Sequence, residues 1–340
     1  MARSALQARA FALPRLTLPP RDVVIAHPSR GAARASASGP LAREPVHDGA
    51  GRSIEVINQC APVPLDCDAT PQEVATFLGT VAHHDEINLL TVVLTPPAGV
   101  ALQCGSAAAQ ACYFPSLQRM VINGNKAPAP DGASWEFVIA HEYGHHLANN
   151  RSNPPFDSPA VDWGPKRWAS YAKVCPGVRA GRYFPGDEGH LYFQNPGEAF
   201  AESFAFNRFP TASVPWHWTA FPVPDAGAFA AIQRDALDPW AGNEVRRRQG
   251  RYGKKRRPRL KVKSFETPSD GMLLVTLRGA DRARLSLTLR GSDGELLGRS
   301  NGPGSREQVE YLLCGERGVS AFVKRRAGKK TRFRVTALVP

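Results

Sequence analysis

Two histidines and a glutamate stand close together in the run His141-Glu142-Tyr143-Gly144-His145. Residues at positions i and i+4 lie on the same face of an α-helix, so both imidazoles could bind one metal ion. Glu142 lies one residue further along and is turned by about 100° around the helix, which places its carboxylate beside the open position of that ion. The run therefore predicts a metal centre in which Glu142 is the general base toward a metal-activated water.

A zinc site that performs catalysis needs a third protein ligand. The metzincin class would need glycine and histidine where this chain has Ala148 and Arg151, so that class is excluded. An aspzincin would need a Gly-Thr-x-Asp run downstream, which the sequence lacks. The remaining option is a glutamate on a second helix, where Glu198 and Glu202 stand at i and i+4. We expect Glu198 to complete the site and Glu202 to accept a hydrogen bond from the free ring nitrogen of His141.

This pair of helices resembles the gluzincin metallopeptidases, the class that contains thermolysin. The resemblance covers the two helices and the strand before them. It implies a zincin-like fold, a Zn²⁺ cofactor and a peptide or protein substrate. The roles it implies are His141, His145 and Glu198 as zinc ligands, Glu142 as the base and Glu202 as the carboxylate behind His141.

The same resemblance assigns a role to the strand Arg119–Asn123. In gluzincins such a strand forms the edge of the cleft, where an extended substrate pairs as an added strand. One departure from the class is the segment between the two helices, which is longer than in thermolysin, since 53 positions separate His145 from Glu198. Because this segment contains Trp163 and Trp168, we expect it to be ordered.

A peptidase of this kind also needs a donor for the oxyanion that forms during the reaction. We expect Tyr192 to be that donor because it lies just before the predicted ligand helix. Tyr183, His190 and His217 are the alternatives, and each of them could equally be a packing or surface residue. His146 extends the motif but should lie on another face of its helix, at the surface or behind the ligands.

The elements that hold these residues can be predicted from caps and periodicity. Thr70-Pro71-Gln72-Glu73 combines an N-cap, a first-position proline and a capping-box glutamate, so a helix should run to about Ala82. Asp131–Asn150 has apolar residues near helical spacing, and Asn195-Pro196 starts a helix over Glu198–Asn207. We also predict helices at Pro165 to Val174 and Asp225 to Leu237, and strands at Ile54–Ile57, Leu89–Leu94 and Arg119–Asn123.

The pattern of the sequence changes beyond Gly250, where short alternating segments are separated by turn signals such as Asn301-Gly302. Such segments favour an antiparallel β-sandwich. The predicted strands are Leu260–Phe265, Met272–Leu277, Arg284–Leu289, Val309–Leu313, Val319–Val323 and Arg332–Ala337.

Residues 259–338 resemble the bacterial pre-peptidase C-terminal domain, a small β-sandwich attached to secreted proteases. The matching features are Leu285–Leu289 before a Gly-x-Asp-Gly turn, Gly298-Arg299-Ser300, Glu307 and Cys314-Gly315. The acidic metal-binding positions of that family have no clear match here. The resemblance implies a role in secretion or in substrate contact.

Together these patterns predict an α+β zincin-like catalytic domain followed by a small antiparallel β-sandwich domain. Residues 1–50 are predicted to be a disordered leader or propeptide, and residues 51–243 the metallopeptidase domain. Residues 244–258 are predicted to be a basic linker and residues 259–340 the β-sandwich.

The positive charge of the chain is concentrated in two stretches. The net charge is +13, yet residues 246–263 hold eleven Lys and Arg and residues 324–334 hold seven, with no acid in either stretch. The remainder of the chain is therefore acidic overall. We expect a solvated linker that can contact anionic surfaces through residues 246–263, and no specific nucleic-acid binding, because no recognition motif accompanies the charge.

The six cysteines contain no Cys-x-x-Cys pair, which favours disulfides in an oxidising compartment over a zinc ribbon. Cys60 and Cys67, and Cys104 and Cys112, each enclose a short loop, and pairing within both would leave Cys175 and Cys314 to join the two domains. No apolar stretch approaches the length of a transmembrane helix. A secretory signal is not clearly visible in the first residues, so the prediction of secretion depends on the cysteines and the domain types.

The function that these residues favour is a secreted zinc-dependent endopeptidase. The alternative is a non-catalytic surface-binding protein that keeps zinc for stability. Another divalent metal in place of zinc also remains open.

Overall fold

The computed structural model describes residues 39–60, 67–130, 132–209, 214–253, 260–262, 264–280, 283–328 and 331–340. Within these ranges the chain is a mixed α/β structure followed by a β-rich C-terminal region. A search of the described helices finds none with the length and apolar character that a membrane span requires.

The N-terminal part is built on one five-stranded sheet. Its strands are β1 (Leu41–Pro45), β2 (Ser53–Asn58), β3 (Thr91–Thr95), β4 (Ala111–Phe114) and β5 (Arg119–Asn123). They are ordered β1-β2-β3-β5-β4, with β2, β3 and β5 parallel and the two outer strands antiparallel. The three predicted strands are confirmed within two residues. The outer strands are not among those predicted, and β1 lies in the predicted leader, of which residues 1–38 fall outside the described ranges.

The strand at the edge of the sheet near the metal motif is β4 rather than β5. β5 pairs with β3 on one side and with β4 on the other. The prediction that Arg119–Asn123 forms the cleft edge is therefore wrong. β4 has only four residues and ends just before Pro115, too short a segment for its alternation pattern to be recognised in the sequence.

The helices of the described chain are α1 (Pro71–Leu78), α2 (Pro97–Cys104), α3 (Trp135–Asn149), α4 (Lys166–Tyr171), α5 (Val174–Arg179), α6 (Pro196–Arg208) and α7 (Ala226–Leu237). The predicted capping box of α1 is present, since the Thr70 hydroxyl accepts from the Glu73 amide and the Glu73 carboxylate accepts from the Thr70 amide. This helix ends at Leu78, four residues before the predicted end, because Gly79 already acts as its C-cap. The predicted bounds of α7 are confirmed.

The C-terminal region contains two antiparallel sheets with a shared apolar core. Its strands are β6 (Glu244–Tyr252), β7 (Leu260–Lys261), β8 (Phe265–Glu266), β9 (Gly271–Gly279), β10 (Arg284–Gly291), β11 (Leu296–Ser300), β12 (Arg306–Leu313), β13 (Gly318–Ala327) and β14 (Thr331–Val339). One sheet has the order β12-β9-β14-β6 and the other the order β11-β10-β13-β7, with β8 also paired to β13. The arrangement is consistent with the predicted β-sandwich.

Most of the predicted basic linker is a strand. β6 pairs antiparallel with β14 along its whole length, from Glu244 opposite Val339 to Tyr252 opposite Thr331. Residues 254–258, the rest of the predicted linker, lie outside the described ranges. Charge alone suggested a solvated segment, but Tyr252 is buried in the core of the sandwich and anchors the strand there.

All six cysteines form disulfides, in the pairs predicted from the sequence: Cys60–Cys67, Cys104–Cys112 and Cys175–Cys314. Such bonds suggest an oxidising environment. The third disulfide joins α5 to the C-terminal region, across 139 residues of sequence. Hydrogen bonds cross the same junction, because Arg317 donates to the Ser170 carbonyl at 2.7 Å and the Asp270 amide donates to the Ser170 hydroxyl at 2.9 Å.

Candidate metal centre

Two capped helices position the metal-binding candidates. The Ser134 hydroxyl accepts from the Phe137 amide at the start of α3, whereas Asp131, inside the predicted span, lies outside the described ranges. The Asn195 side chain accepts from the Gly197 amide at 3.0 Å and starts α6. α3 packs against the sheet, and α6 packs against α3.

The two helices approach closely at the glycine of the motif. A Cβ atom on Gly144 would lie 2.8 Å from the Cα atom of Ala201, which is nearer than carbon atoms normally approach. Glycine at this position therefore lets the backbones meet. Because Ala201 lies three residues after Glu198, the same contact brings the first turn of α6 beside the histidines.

The structure places the predicted ligands together. His141 Nε2 and His145 Nε2 are 3.3 Å apart, and each lies 3.3 Å from an oxygen of Glu198. With bonds of about 2.0–2.1 Å, a tetrahedral zinc site separates neighbouring ligand atoms by about 3.3–3.4 Å. Among the described residues this is the one group of three or more His, Cys, Asp or Glu whose atoms could share an ion. This buried group could therefore hold a metal ion.

The surroundings of His141 favour a cation at this point. Its Nδ1 lies 2.9 Å from Glu202 Oε2, so the ring donates from Nδ1 and leaves the Nε2 lone pair free for a metal. Burial lowers the pKa of His141, but hydrogen bonds and charge from Glu198 and Glu202 outweigh it and raise the pKa well above its ordinary value. The same two carboxylates that favour a proton favour a divalent cation.

Glu142 has the environment expected of a base. It is 4% exposed, and its Oε2 has no hydrogen-bond partner among the described residues. A buried carboxylate oxygen without a partner is costly, so its position points to a ligand or reacting group. The side chain lines a cavity together with His141.

Tyr192 reaches the third ligand directly. Its hydroxyl donates to Glu198 Oε2 at 2.7 Å, and burial followed by the charge of Glu198 raises its pKa well above the ordinary value, so the hydroxyl stays protonated. The alternatives differ: Tyr183 stacks on Phe221, whereas His190 and His217 are exposed. Of these three only His217 lines the same cavity as Glu142.

Two cavities meet at the metal triad. One, of about 630 Å³, is mainly apolar and includes Phe137, Phe193 and Trp218 in its walls. Trp218 packs against His141 with 6.2 Å between ring centres, and no sequence signal distinguished it from an ordinary packing residue.

The other cavity, of about 750 Å³, is bounded by His145 and Glu198. Its lining includes the acidic residues Asp157, Asp162 and Glu188, and among the described residues no Lys or Arg lines it. The two cavities together form a cleft with one apolar half and one acidic half.

A buried polar network holds α3 from behind. Arg151 Nη2 lies 2.9 Å from Glu86 Oε2, and the Tyr143 hydroxyl donates to Glu86 Oε1 at 3.0 Å. His146 lies between the Tyr113 hydroxyl at 3.0 Å and the Glu86 carbonyl at 2.9 Å. His146 is thus fully buried behind the ligands, one of the two places expected for it. Glu86 and Arg151 were missed because their pairing spans 65 residues of sequence.

No protein-family model matches the chain, and no curated protein matches it significantly. A mitogen from Yersinia pseudotuberculosis is similar at 15% identity and TM-score 0.22, over 29% of this chain and 87% of that one. A periplasmic inhibitor of g-type lysozyme from Aeromonas hydrophila is similar at 11% identity and TM-score 0.22, over 31% and 93%. A carbohydrate-binding module of lichenase 5A from Cellvibrio mixtus, in complex with cellotriose, is similar at 16% identity and TM-score 0.19, over 29% and 88%. At these TM-scores the similarities carry no argument about this chain.

Proposed function

We propose that the protein is a secreted zinc-dependent endopeptidase with a zincin-like catalytic domain. The observation that carries the proposal is the grouping of His141, His145 and Glu198, with separations of 3.3 Å, beside the buried Glu142, whose Oε2 has no hydrogen-bond partner among the described residues. Three protein ligands and an adjacent base are the composition of a catalytic zinc site rather than of a closed structural one. The three disulfides support secretion.

The cleft suits an extended peptide. β4 is the outer strand of the sheet, its residues and the loops beside it line both cavities, and its outer edge has no paired strand in the described chain. An extended substrate could pair with that edge as an added strand and cross the metal centre. This assigns to β4 the part that the sequence prediction had given to β5.

The residues of the chain then have separate tasks. When bound, a zinc ion polarises the substrate carbonyl and lowers the pKa of a bound water to about 7. Glu142 accepts a proton at Oε2 and can return it to the leaving amine. Glu202 fixes the tautomer of His141. Tyr192 orients Glu198, and its hydroxyl is close enough to the ligands to donate to the developing oxyanion if it leaves that acceptor.

The test combines metal analysis with a peptide-library digest. Purified protein should contain about one zinc per chain, and cleavage should stop with a chelator and return with added zinc. Glu142→Gln should retain zinc and lose at least 100-fold in cleavage rate, since a general base contributes about 10²–10⁴-fold. Glu136→Gln, in the first turn of α3, is the matched control and should cleave like the wild type.

Two results would separate this proposal from its alternative. Zinc binding without chelator-sensitive cleavage of any library peptide would favour a non-catalytic, zinc-stabilised surface-binding protein. Cleavage that survives Glu142→Gln would contradict the mechanism, even if the protein is a peptidase.

A further inference from the structure

The outer face of the sheet β12-β9-β14-β6 carries six exposed arginines: Arg247, Arg251, Arg278, Arg306, Arg332 and Arg334. The register sets them side by side. Arg278 lies between Arg334 and Arg306 on the neighbouring strands, and Arg332 lies opposite Arg251. We refer to these six residues as the arginine face.

The central row of the arginine face crosses the whole sheet. It runs from Gln249 on β6 through Arg334 and Arg278 to Arg306 on β12. With strands about 4.8 Å apart, the row is about 14 Å long and its guanidinium groups project from neighbouring positions. Arg278 and Arg306 lie outside both basic stretches of the sequence, so only the pairing of the strands reveals the row.

The opposed arginines repel one another, and no acidic side chain of the described residues offsets this repulsion. Like charges directly opposite each other on a sheet are destabilising. Within the described chain no carboxylate lies in ion-pair range of any of the six. One acid, Glu310, shares the face, two rows away from the central row. If these side chains served only to stabilise the sheet, positive and negative charges would be expected to alternate along the row. The row of like charges instead indicates an anionic binding partner.

We propose that the arginine face binds a linear anionic polysaccharide carrying sulfate or carboxylate groups, laid across the strands along the central row. All six cations are arginine. The planar guanidinium group of arginine binds an oxyanion through two hydrogen bonds, whereas lysine would provide non-specific electrostatic attraction equally well. Gln249 extends the row with an amide that can bond sugar hydroxyls. The three disulfides suggest a compartment outside the cytosol, where such polymers are available partners.

Other polyanions fit less well. The face carries no aromatic residue in the rows of the arginines, and single-stranded nucleic acids are held largely by stacking on aromatic rings. It is the face of a β-sheet rather than a helix or two-stranded ribbon of the kind that enters the groove of a duplex. The apolar row, Val245, Leu338 and Leu274, lies at the end of the face away from the paired arginines, so the basic end offers nothing to insert into a bilayer.

The test uses the full-length protein and immobilised heparin as the sulfated polysaccharide. The triple variant Arg278→Gln, Arg306→Gln, Arg334→Gln removes the central row. Its matched control, Arg284→Gln, Arg299→Gln, Lys324→Gln, removes the same charge from exposed positions of the other sheet. We expect roughly 100-fold weaker binding for the first variant, about fivefold per lost guanidinium, and a change within about threefold for the control.

The melting temperature of the variants provides a second measurement. Removing opposed like charges should leave the melting temperature of the first variant unchanged or slightly raised. Equal losses of binding in both triple variants would overturn the proposed face. Tighter binding of an oligonucleotide, or of vesicles of phosphatidylglycerol and phosphatidylcholine, at the same salt concentration would overturn the choice of partner.

Discussion

The contact between Gly144 and Ala201 offers a test of how the metal site is held, through the substitution Gly144→Ala. The added methyl would lie 2.8 Å from the Ala201 Cα atom, 3.2 Å from its carbonyl oxygen and 3.3 Å from its Cβ atom. Carbon atoms pack at about 3.5–4.0 Å. Since the nearest atom belongs to the backbone, no rotamer change can relieve the clash, and α3 and α6 must move apart by roughly 0.7–1.2 Å.

That displacement acts directly on the ligand set. The 3.3 Å distances between Glu198 and the two imidazoles would grow to about 4 Å, whereas a zinc site tolerates about 0.2 Å in its bond lengths. We expect zinc affinity to fall by roughly 100-fold. The fold should suffer less, because an overpacking cost of about 1–3 kcal/mol is offset by about 1 kcal/mol from the better helix propensity of alanine.

The assay is a competition titration with a chromophoric zinc chelator, accompanied by thermal denaturation of the metal-free protein. Gly253→Ala is the control, since no atom lies within 4 Å of the position where its Cβ would stand. A Gly144→Ala protein that bound zinc as tightly as the wild type would refute the reasoning that this helix contact sets the spacing of the ligands.

Three further outcomes are expected. Glu202→Gln should weaken zinc binding by about 10–100-fold in the same titration while leaving the fold intact, because the carboxylate behind a ligand histidine fixes its tautomer; unchanged affinity would count against that role. If the protein is a peptidase, the double variant Asp157→Asn, Asp162→Asn should reduce cleavage of peptides with Lys or Arg in the acidic half of the cleft more than cleavage of neutral peptides, and equal effects in a library digest would argue against charge selection. Replacing Cys175 and Cys314 by serine should lower the free energy of unfolding by about 2–4 kcal/mol in denaturant titrations, because their bond closes a loop of 139 residues; a loss no larger than that for the two short-loop pairs would contradict this.

The local parts of the site could be predicted because each has a short-range sequence signal. The histidine pair can be recognised from its helical spacing alone, and the start of α6 can be recognised from the N-cap Asn195 and the first-position Pro196. Glu198 could be chosen because Glu202 follows it at i+4 on the same helix, so that one carboxylate can bind the metal and the other can support His141. These features depend on caps and on the 3.6-residue period, which operate within a few residues.

The parts that the sequence did not reveal depend on pairing between distant segments. β6 was interpreted as a linker because its arginines suggest solvent, yet its partner β14 lies about 80 residues further on. β4 is too short to show alternation, and the choice between β4 and β5 as the edge strand depends on the order of the sheet. Sheet order and strand register are long-range properties, which local patterns do not encode.

The long segment between the two ligand helices connects the cleft to the C-terminal region. Its first half supplies Asp157 and Asp162 to the acidic cavity wall. Lys166, Ser170 and Cys175 of the same segment lie at the junction. There Lys166 Nζ donates to the Pro154 carbonyl, and a Cβ on Gly271 would lie 2.6 Å from Lys166 Nζ. Of the two ligand helices, α3 packs on the first sheet, whereas α6 packs on α3 and also on α4 of this segment. If the protein is a peptidase, we therefore expect the C-terminal region to influence, through this segment, which substrates the cleft accepts.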